Sequence, residues 1–256
     1  MIAPSSTSLS NRALTLLDLT NLNDDCTEKD IEALCTMATT RFGSVAAICI
    51  WARFIPQAKQ LLAGKDIKIA SVANFPAGGV ETLAVVDEAV AMVADGADEV
   101  DLVMPYAAYL SGRRGFAETQ IVRVKEAITG KAALKVIIEA GELKDPEIIR
   151  AVSEMAIGAG ADFIKTSTGK VPVSATPESA EIMIGSIAAM KKPVGFKAAG
   201  GIRTAADAAL YLDIAARIMG PDWATPDTFR FGASGLLNAL LADLEGAQEP
   251  ENDSSY

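Results

Sequence analysis

The sequence predicts a single (β/α)8 barrel, and three observations carry that prediction. The chain has 256 residues, half of them hydrophobic, which suits one large barrel domain. Short β-prone runs recur roughly every thirty residues, and the stretches between them carry apolar residues at helical spacing. Such alternation demands a parallel sheet with helices outside, and eight units close into a barrel more naturally than they form an open doubly wound sheet.

The expected strands are Leu16–Leu19, Val45–Ile50, Ile67–Val72, Glu99–Val103, Leu134–Ile138, Phe163–Lys165, Val194–Lys197 and Phe229–Phe231. Helical spacing marks Glu28–Met37, Val80–Ala94, Phe116–Ile128, Pro146–Ile157, Pro177–Met190, Ala205–Met219 and Leu236–Leu244. Thr176 before Pro177, and Thr204, are good helix caps. A weak internal echo joins residues 94–101 to residues 158–165: each runs from a helix end through a Gly turn into a strand that delivers a charged residue. The barrel is expected over residues 1–245. Residues 246–256 are polar and aperiodic, so a mobile tail is expected there.

Composition narrows the function. With 33 acidic against 23 basic residues, the surface repels nucleic-acid phosphates and anionic membranes, so neither is an expected partner. The N-terminus shows no signal-peptide pattern and no apolar run is long enough to span a bilayer, so a cytoplasmic location is expected. Cys26, Cys35 and Cys49 are an odd number without a CxxC pair, which reads as plain thiols. Histidine is absent, which removes the Ser-His and Cys-His pairs and the HExxH zinc motif together. Catalysis must run on Lys, Asp, Glu, Tyr or Cys.

The informative residues are charges placed where a core should be. Strand side chains alternate faces, so Glu99, Asp101 and Val103 share one face, as do Lys135 with Ile137, Phe163 with Lys165, and Gly195 with Lys197. Neither face of a barrel strand is freely solvated, and burying unpaired charge is expensive. If Asp101, Lys135, Lys165 and Lys197 all point inward, three ammonium groups face one carboxylate. Two ammonium groups about 4 Å apart repel by roughly 4 kcal/mol at an effective dielectric of about 20, equivalent to about three pKa units. One lysine should therefore be neutral near pH 7. A neutral, desolvated amine beside another cation is activated for attack on a carbonyl, giving a carbinolamine and then a Schiff base. Lys165 and Lys197, on successive strands, fit this best. Lys135 has two readings: a partner that orients Asp101, or a participant in the chemistry. Glu139 lies on the face of Lys135 and is a candidate for the same network.

Glycines mark a second feature. The seventh strand leads into Ala198-Ala-Gly-Gly-Ile-Arg-Thr204 and the eighth into Gly232-Ala-Ser-Gly235, each followed by a helix. Loops at these positions are a frequent phosphate site in such barrels, because free N–H groups and the helix dipole favour an anion. Gly200, Gly201 and Gly235 let the backbone approach closely, and Ser234 adds a hydroxyl donor.

Residues 160–170 (GADFIKTSTGK) and 194–204 (VGFKAAGGIRT) resemble the 2-deoxyribose-5-phosphate aldolases. The likeness extends through residues 17–23 (LDLTNLN), 47–50, 97–101, 135–139 (KVIIE) and 231–234 (FGAS), nearly end to end. It implies reversible cleavage of 2-deoxy-D-ribose 5-phosphate to acetaldehyde and D-glyceraldehyde 3-phosphate through a lysine enamine, without metal or cofactor, in deoxyribose phosphate catabolism. By position Lys165 is the implied Schiff-base lysine, Lys197 the cation that lowers its pKa and Asp101 the carboxylate that moves protons, through a water. The resemblance further implies Thr20, Asn23, Thr168 and Lys170 around the sugar hydroxyls, Gly169 with Gly200, Gly201, Ser234 and Gly235 near the phosphate, and Asp18 steadying the lysines. It implies a homodimer or a monomer.

The sequence departs from the common pattern at Ala198, where proline often follows the lysine, and at Gly235, where a second serine is usual. Trp51 replaces a smaller residue and, like Cys49, reads as packing. The ending Ser254-Ser-Tyr256 is similar to that of some family members, which raises the expectation that the tail folds over the site and Tyr256 assists proton transfer. The competing readings are a lysine aldolase for a longer ketose or aldose phosphate, a sugar-phosphate sensor without turnover, and a metal-dependent aldolase deprived of imidazole ligands.

Overall fold

In the computed structural model, which describes residues 6–246, eight parallel strands close into a barrel in sequence order. They are β1 (Leu17–Asn21), β2 (Ala47–Ile50), β3 (Lys68–Ala73), β4 (Glu99–Val103), β5 (Ala133–Ile137), β6 (Phe163–Lys165), β7 (Gly195–Ala199) and β8 (Phe229–Ala233). The ring closes where Leu17 pairs with Phe231 and Asp18 with Gly232. Every expected strand is present, Glu99–Val103 and Phe163–Lys165 with the expected bounds and the others displaced by at most two residues at either end.

The seven expected helices also form. Pro177–Met190 and Ala205–Met219 start at Thr176 and Thr204, each a capping box in which the threonine hydroxyl accepts from the third residue of the helix. That reciprocal bonding satisfies two otherwise orphaned N–H groups. Three sets of elements were not expected from the sequence. Ser6–Thr15 forms an N-terminal helix packed on the last two helices; its serines and threonines blur the apolar stripe that would announce it. Ile55–Leu61 completes the second βα unit in only 7 residues, too short a window for periodicity to register. Short helices at Tyr106–Leu110 and Ala140–Leu143 and a small hairpin, Thr39–Thr40 with Gly43–Ser44, decorate the connections. The final helix runs Leu236–Gly246, so Gly246 ends a helix instead of opening the tail. The rest of the expected tail, with Tyr256, lies outside the described residues.

Apolar burial falls into two zones. The larger lies between barrel and helices and holds the outward side chains, Phe196, Phe229 and Phe231 among them. These three rings pack in sequence, at centroid separations of 5.6 and 4.9 Å. A small second cluster, Leu22, Cys49, Ala70 and Val72 with Trp51 and Phe75 against it, covers part of the other side of β2 and β3. Much of the remaining barrel interior is ionic. No helix among the described residues is long and apolar enough to cross a membrane.

Candidate active site

Strand alternation and register bring the charged residues together. Asp101 pairs with Lys135 across β4 and β5, Lys165 with Lys197 across β6 and β7, and Lys197 with Arg230 across β7 and β8. Because directly paired residues point to the same side, all of them enter the barrel. Asp101, Lys135 and Lys197 are 0% exposed, and Lys165 is 3% exposed.

The hydrogen bonds form one connected network. Asp101 Oδ2 accepts from Lys165 Nζ and from Lys197 Nζ, each at 2.7 Å, and Asp101 Oδ1 accepts from Lys135 at 3.2 Å. Lys197 also donates to Asp18 Oδ2 at 2.5 Å, while Asp18 Oδ1 accepts from Arg230 Nη1 at 2.6 Å. Arg230 Nη2 donates to Glu99 Oε1 at 2.8 Å, and Lys135 closes the circuit by donating to Glu99 Oε2. Four cations therefore meet three carboxylates. This corrects the count of three ammonium groups against one carboxylate expected from the sequence. The expectation omitted Arg230, although a mid-strand arginine between Phe229 and Phe231 is the same signal that marked Lys197.

Glycines clear room for these long side chains. A Cβ at Gly195 would lie 2.3 Å from the Phe163 ring, and one at Gly232 would lie 2.9 Å from Lys197 Cε. Phe163 thus fills the barrel floor, where the Lys135 ammonium and the Arg230 guanidinium approach its ring at 5.9 and 5.7 Å.

Electrostatics separate the lysines. Burial, joined by the neighbouring Lys197 charge, pulls the Lys165 amine below the ordinary lysine range in spite of Asp101. Burial also acts against the charge of Lys197, but Asp101 and Asp18 outweigh it and hold that ammonium above the ordinary range. Lys135 is raised likewise: burial opposes its charge, and Asp101, Glu99 and Asp18 prevail. Asp101 and Asp18 resist their own desolvation because of the surrounding cations and lie below the usual carboxylate range. One group of the cluster, Lys165, is thus biased toward the neutral base.

The loops at the C-terminal ends of the strands roof this network. Thr168 donates from its hydroxyl to Glu139 at 2.6 Å and from its N–H at 3.2 Å. Glu139 does not join Lys135, as its place on the strand had led us to expect. Its backbone is left-handed, with φ 55°, which ends the strand alternation and turns the carboxylate toward Thr168. Lys170 reaches across the mouth and donates to Leu22 O at 2.9 Å, tying the β6 loop to the β1 loop. Thr20 donates to Asp18 O at 2.8 Å, and Asn23 O accepts from Trp51 Nε1 at 3.0 Å. Trp51 meets Phe75 edge-on at 5.7 Å, and Cys49 is buried, its thiol pushed up chiefly by burial.

Gly169, Gly200 and Gly201 all have positive φ, between 80° and 85°, and a Cβ at Gly200 would lie 2.5 Å from Ser174 and 3.3 Å from Gly169 Cα. The β6 and β7 loops therefore abut at these glycines. Gly201, Ser234 and Gly235 are exposed, with Ser234 and Gly235 just before the helix Leu236–Gly246. Helix starts of this kind present N–H groups and the positive dipole end.

Comparison with known proteins agrees with this architecture. A deoxyribose-phosphate aldolase of Agrobacterium fabrum (strain C58) is 53% identical over 245 residues, covering 95% of this chain and 94% of the relative. The crystal structure of a putative deoxyribose-phosphate aldolase from Coccidioides immitis superposes with a TM-score of 0.80 at 29% identity, covering 93% and 87% of the two chains. A second, from Toxoplasma gondii ME49, gives 0.83 at 26% identity, covering 94% and 97%. Residues 12–242 match the family described as DeoC/LacD family aldolase, and the chain belongs to that family.

Proposed function

We propose that this protein cleaves 2-deoxy-D-ribose 5-phosphate reversibly to acetaldehyde and D-glyceraldehyde 3-phosphate, as a metal-independent aldolase of deoxyribose phosphate catabolism. The observation that carries the reading is the buried Lys165 amine, held by Asp101 beside the more strongly retained Lys197 ammonium. The 53% identity to a deoxyribose-phosphate aldolase supports the substrate.

Lys165 Nζ attacks the C1 aldehyde of the open-chain sugar, and loss of water from the carbinolamine leaves an iminium. Its positive charge draws the electrons of the C2–C3 bond as that bond breaks, while a base takes the proton from the C3 hydroxyl. D-Glyceraldehyde 3-phosphate leaves, and the enamine that remains on Lys165 is protonated at C2 and hydrolysed to acetaldehyde. Asp101 moves these protons, through a water. Burial and the Lys197 charge lower the pKa of Lys165, and Asp18 and Lys135 hold Lys197 and Asp101 in place. Thr20, Asn23, Thr168 and Lys170 meet the sugar hydroxyls, while Gly169, Gly200, Gly201, Ser234 and Gly235 receive the phosphate. Tyr256 assists proton transfer at C2. The protein works in the cytoplasm as a homodimer, a state that light scattering in solution tests.

The activity is tested by supplying 2-deoxy-D-ribose 5-phosphate and following acetaldehyde release. Release that disappears in Lys165→Ala supports the proposal. No acetaldehyde from a preparation that cleaves a longer ketose or aldose phosphate would overturn it.

A further inference from the structure

Deep in the barrel, at the end opposite the loops that roof Lys165, an opening bordered by Lys68, Asp98, Lys125, Lys131, Asp162 and Asp227 leads down to Glu99 and Arg230. Neither residue touches Lys165, yet both belong to its hydrogen-bonded circuit. Glu99 is 5% exposed and Arg230 is 3% exposed. Arg230 spans Asp18 and Glu99 with its two terminal nitrogens. Lys135 spans Glu99 and Asp101.

The charge balance of this buried interior gives the two residues a role. Asp18, Glu99 and Asp101 supply three negative charges; Lys135, Lys197 and Arg230 supply three positive ones. The cluster is neutral when Lys165 is unprotonated and gains a net positive charge when it is protonated. An arginine cannot release its proton at accessible pH, so Arg230 is the fixed member of the set. We propose that Arg230 and Glu99 are positioning residues that set the protonation of Lys165 from the far end of the barrel, by fixing the charge of the network that Lys165 completes.

The inference rests on Lys165 as the Schiff-base nucleophile. Removing Arg230 leaves three carboxylates facing two other cations, so a protonated Lys165 restores neutrality and its pKa rises. Removing the Glu99 charge does the reverse. Cys49 and Glu139 also bear on Lys165, but they are common to every variant compared. A unit charge about 10 Å away, at an effective dielectric of about 20, moves a pKa by on the order of one unit.

The test is the acidic limb of the pH dependence of kcat/KM, which reports ionisations of the free enzyme. Arg230→Gln should move the limb up by on the order of one pH unit, Glu99→Gln should move it down, and Arg230→Lys should stay with the parent. The double variant Glu99→Gln/Arg230→Gln keeps the charge count and should return toward the parent. Damage to the fold alone would lower rates without moving the two limbs in opposite directions. If Arg230→Gln does not fold, the downward shift in Glu99→Gln and the unmoved limb in Arg230→Lys carry the test. Unmoved limbs, or shifts of the same sign, would overturn the inference. Borohydride trapping of acetaldehyde on the unaltered protein separates the two levels: an adduct at Lys165 with unmoved limbs sinks only the role of Arg230 and Glu99, whereas no adduct there sinks the nucleophile itself.

Discussion

Lys165 Nζ lies 2.7 Å from Asp101 Oδ2, although the two residues stand on strands separated by a third. The contact exists because β4, β5 and β6 are in register, Asp101 opposite Lys135 and Ile137 opposite Lys165, so that side chains at successive heights converge on the barrel axis. Lys197 donates to the same oxygen. Lys197 has a second carboxylate in Asp18 and keeps its proton, whereas burial and the Lys197 charge lower the pKa of Lys165, which has Asp101 alone.

Lys197→Leu should therefore raise the pKa of Lys165, since it removes a like charge and leaves Asp101 more fully to Lys165. The neutral amine then becomes scarcer at pH 7. Activity at pH 7 should fall by about a hundredfold or more, with part of the loss recovered as pH rises. A pH–rate profile of the variant checks this; an acidic limb that stayed in place would speak against the assignment.

Asp101→Asn should cost both activity and stability. The rate should drop by about 10²–10⁴-fold, the usual worth of a positioned acid–base group. Losing the shared carboxylate leaves buried ammonium groups undercompensated, a loss of about 3–5 kcal/mol in comparable ion networks. Urea unfolding followed by circular dichroism measures the second effect.

The barrel and the lysine cluster were both legible in the sequence, for one physical reason. Alternation is rigid in a strand, so Lys165 two residues after Phe163 and Lys197 two after Gly195 had to share an interior. Other features resisted reading. Glu139 accepts from Thr168 and not from Lys135, at a left-handed backbone position just past the strand end. The Lys170 contact with Leu22 O joins residues 148 positions apart in the chain, and no local pattern encodes it.

The carboxylates also set the acid limit of the fold. Asp18 and Asp101 lie below their ordinary range in the folded protein because of the cations around them. Unfolded aspartates titrate near pH ~4. Their stabilisation is therefore complete above that value and is lost as pH falls through the lower folded-state pKa values. Thermal melts should show Tm falling progressively below about pH 4, and Asp101→Asn should flatten that dependence.

Gly195→Ala puts a methyl group where the Phe163 ring lies 2.3 Å away. The Phe163 ring, 5% exposed, would have to shift toward the opening that it lines at the base of the barrel, so destabilisation of about 1–3 kcal/mol is expected. Chemical denaturation checks it, and an unchanged midpoint would mean that the floor of the barrel is looser than this packing implies.

Ser234→Ala should weaken use of the phosphorylated substrate selectively. Loss of a hydrogen bond to a charged group corresponds to about a tenfold or larger rise in KM, while cleavage of non-phosphorylated 2-deoxyribose should be unaffected. Steady-state kinetics with both sugars makes the comparison, and an equal loss for both would remove Ser234 from the phosphate site.

The central claim is that the buried, depressed Lys165 amine forms the covalent bond to substrate. Incubation with acetaldehyde and borohydride, followed by digestion and mass spectrometry, reads this directly. An ethyl group on Lys165, absent from Lys165→Ala, is the predicted result. Active protein that carries no adduct there, or carries it on Lys197, would contradict the account.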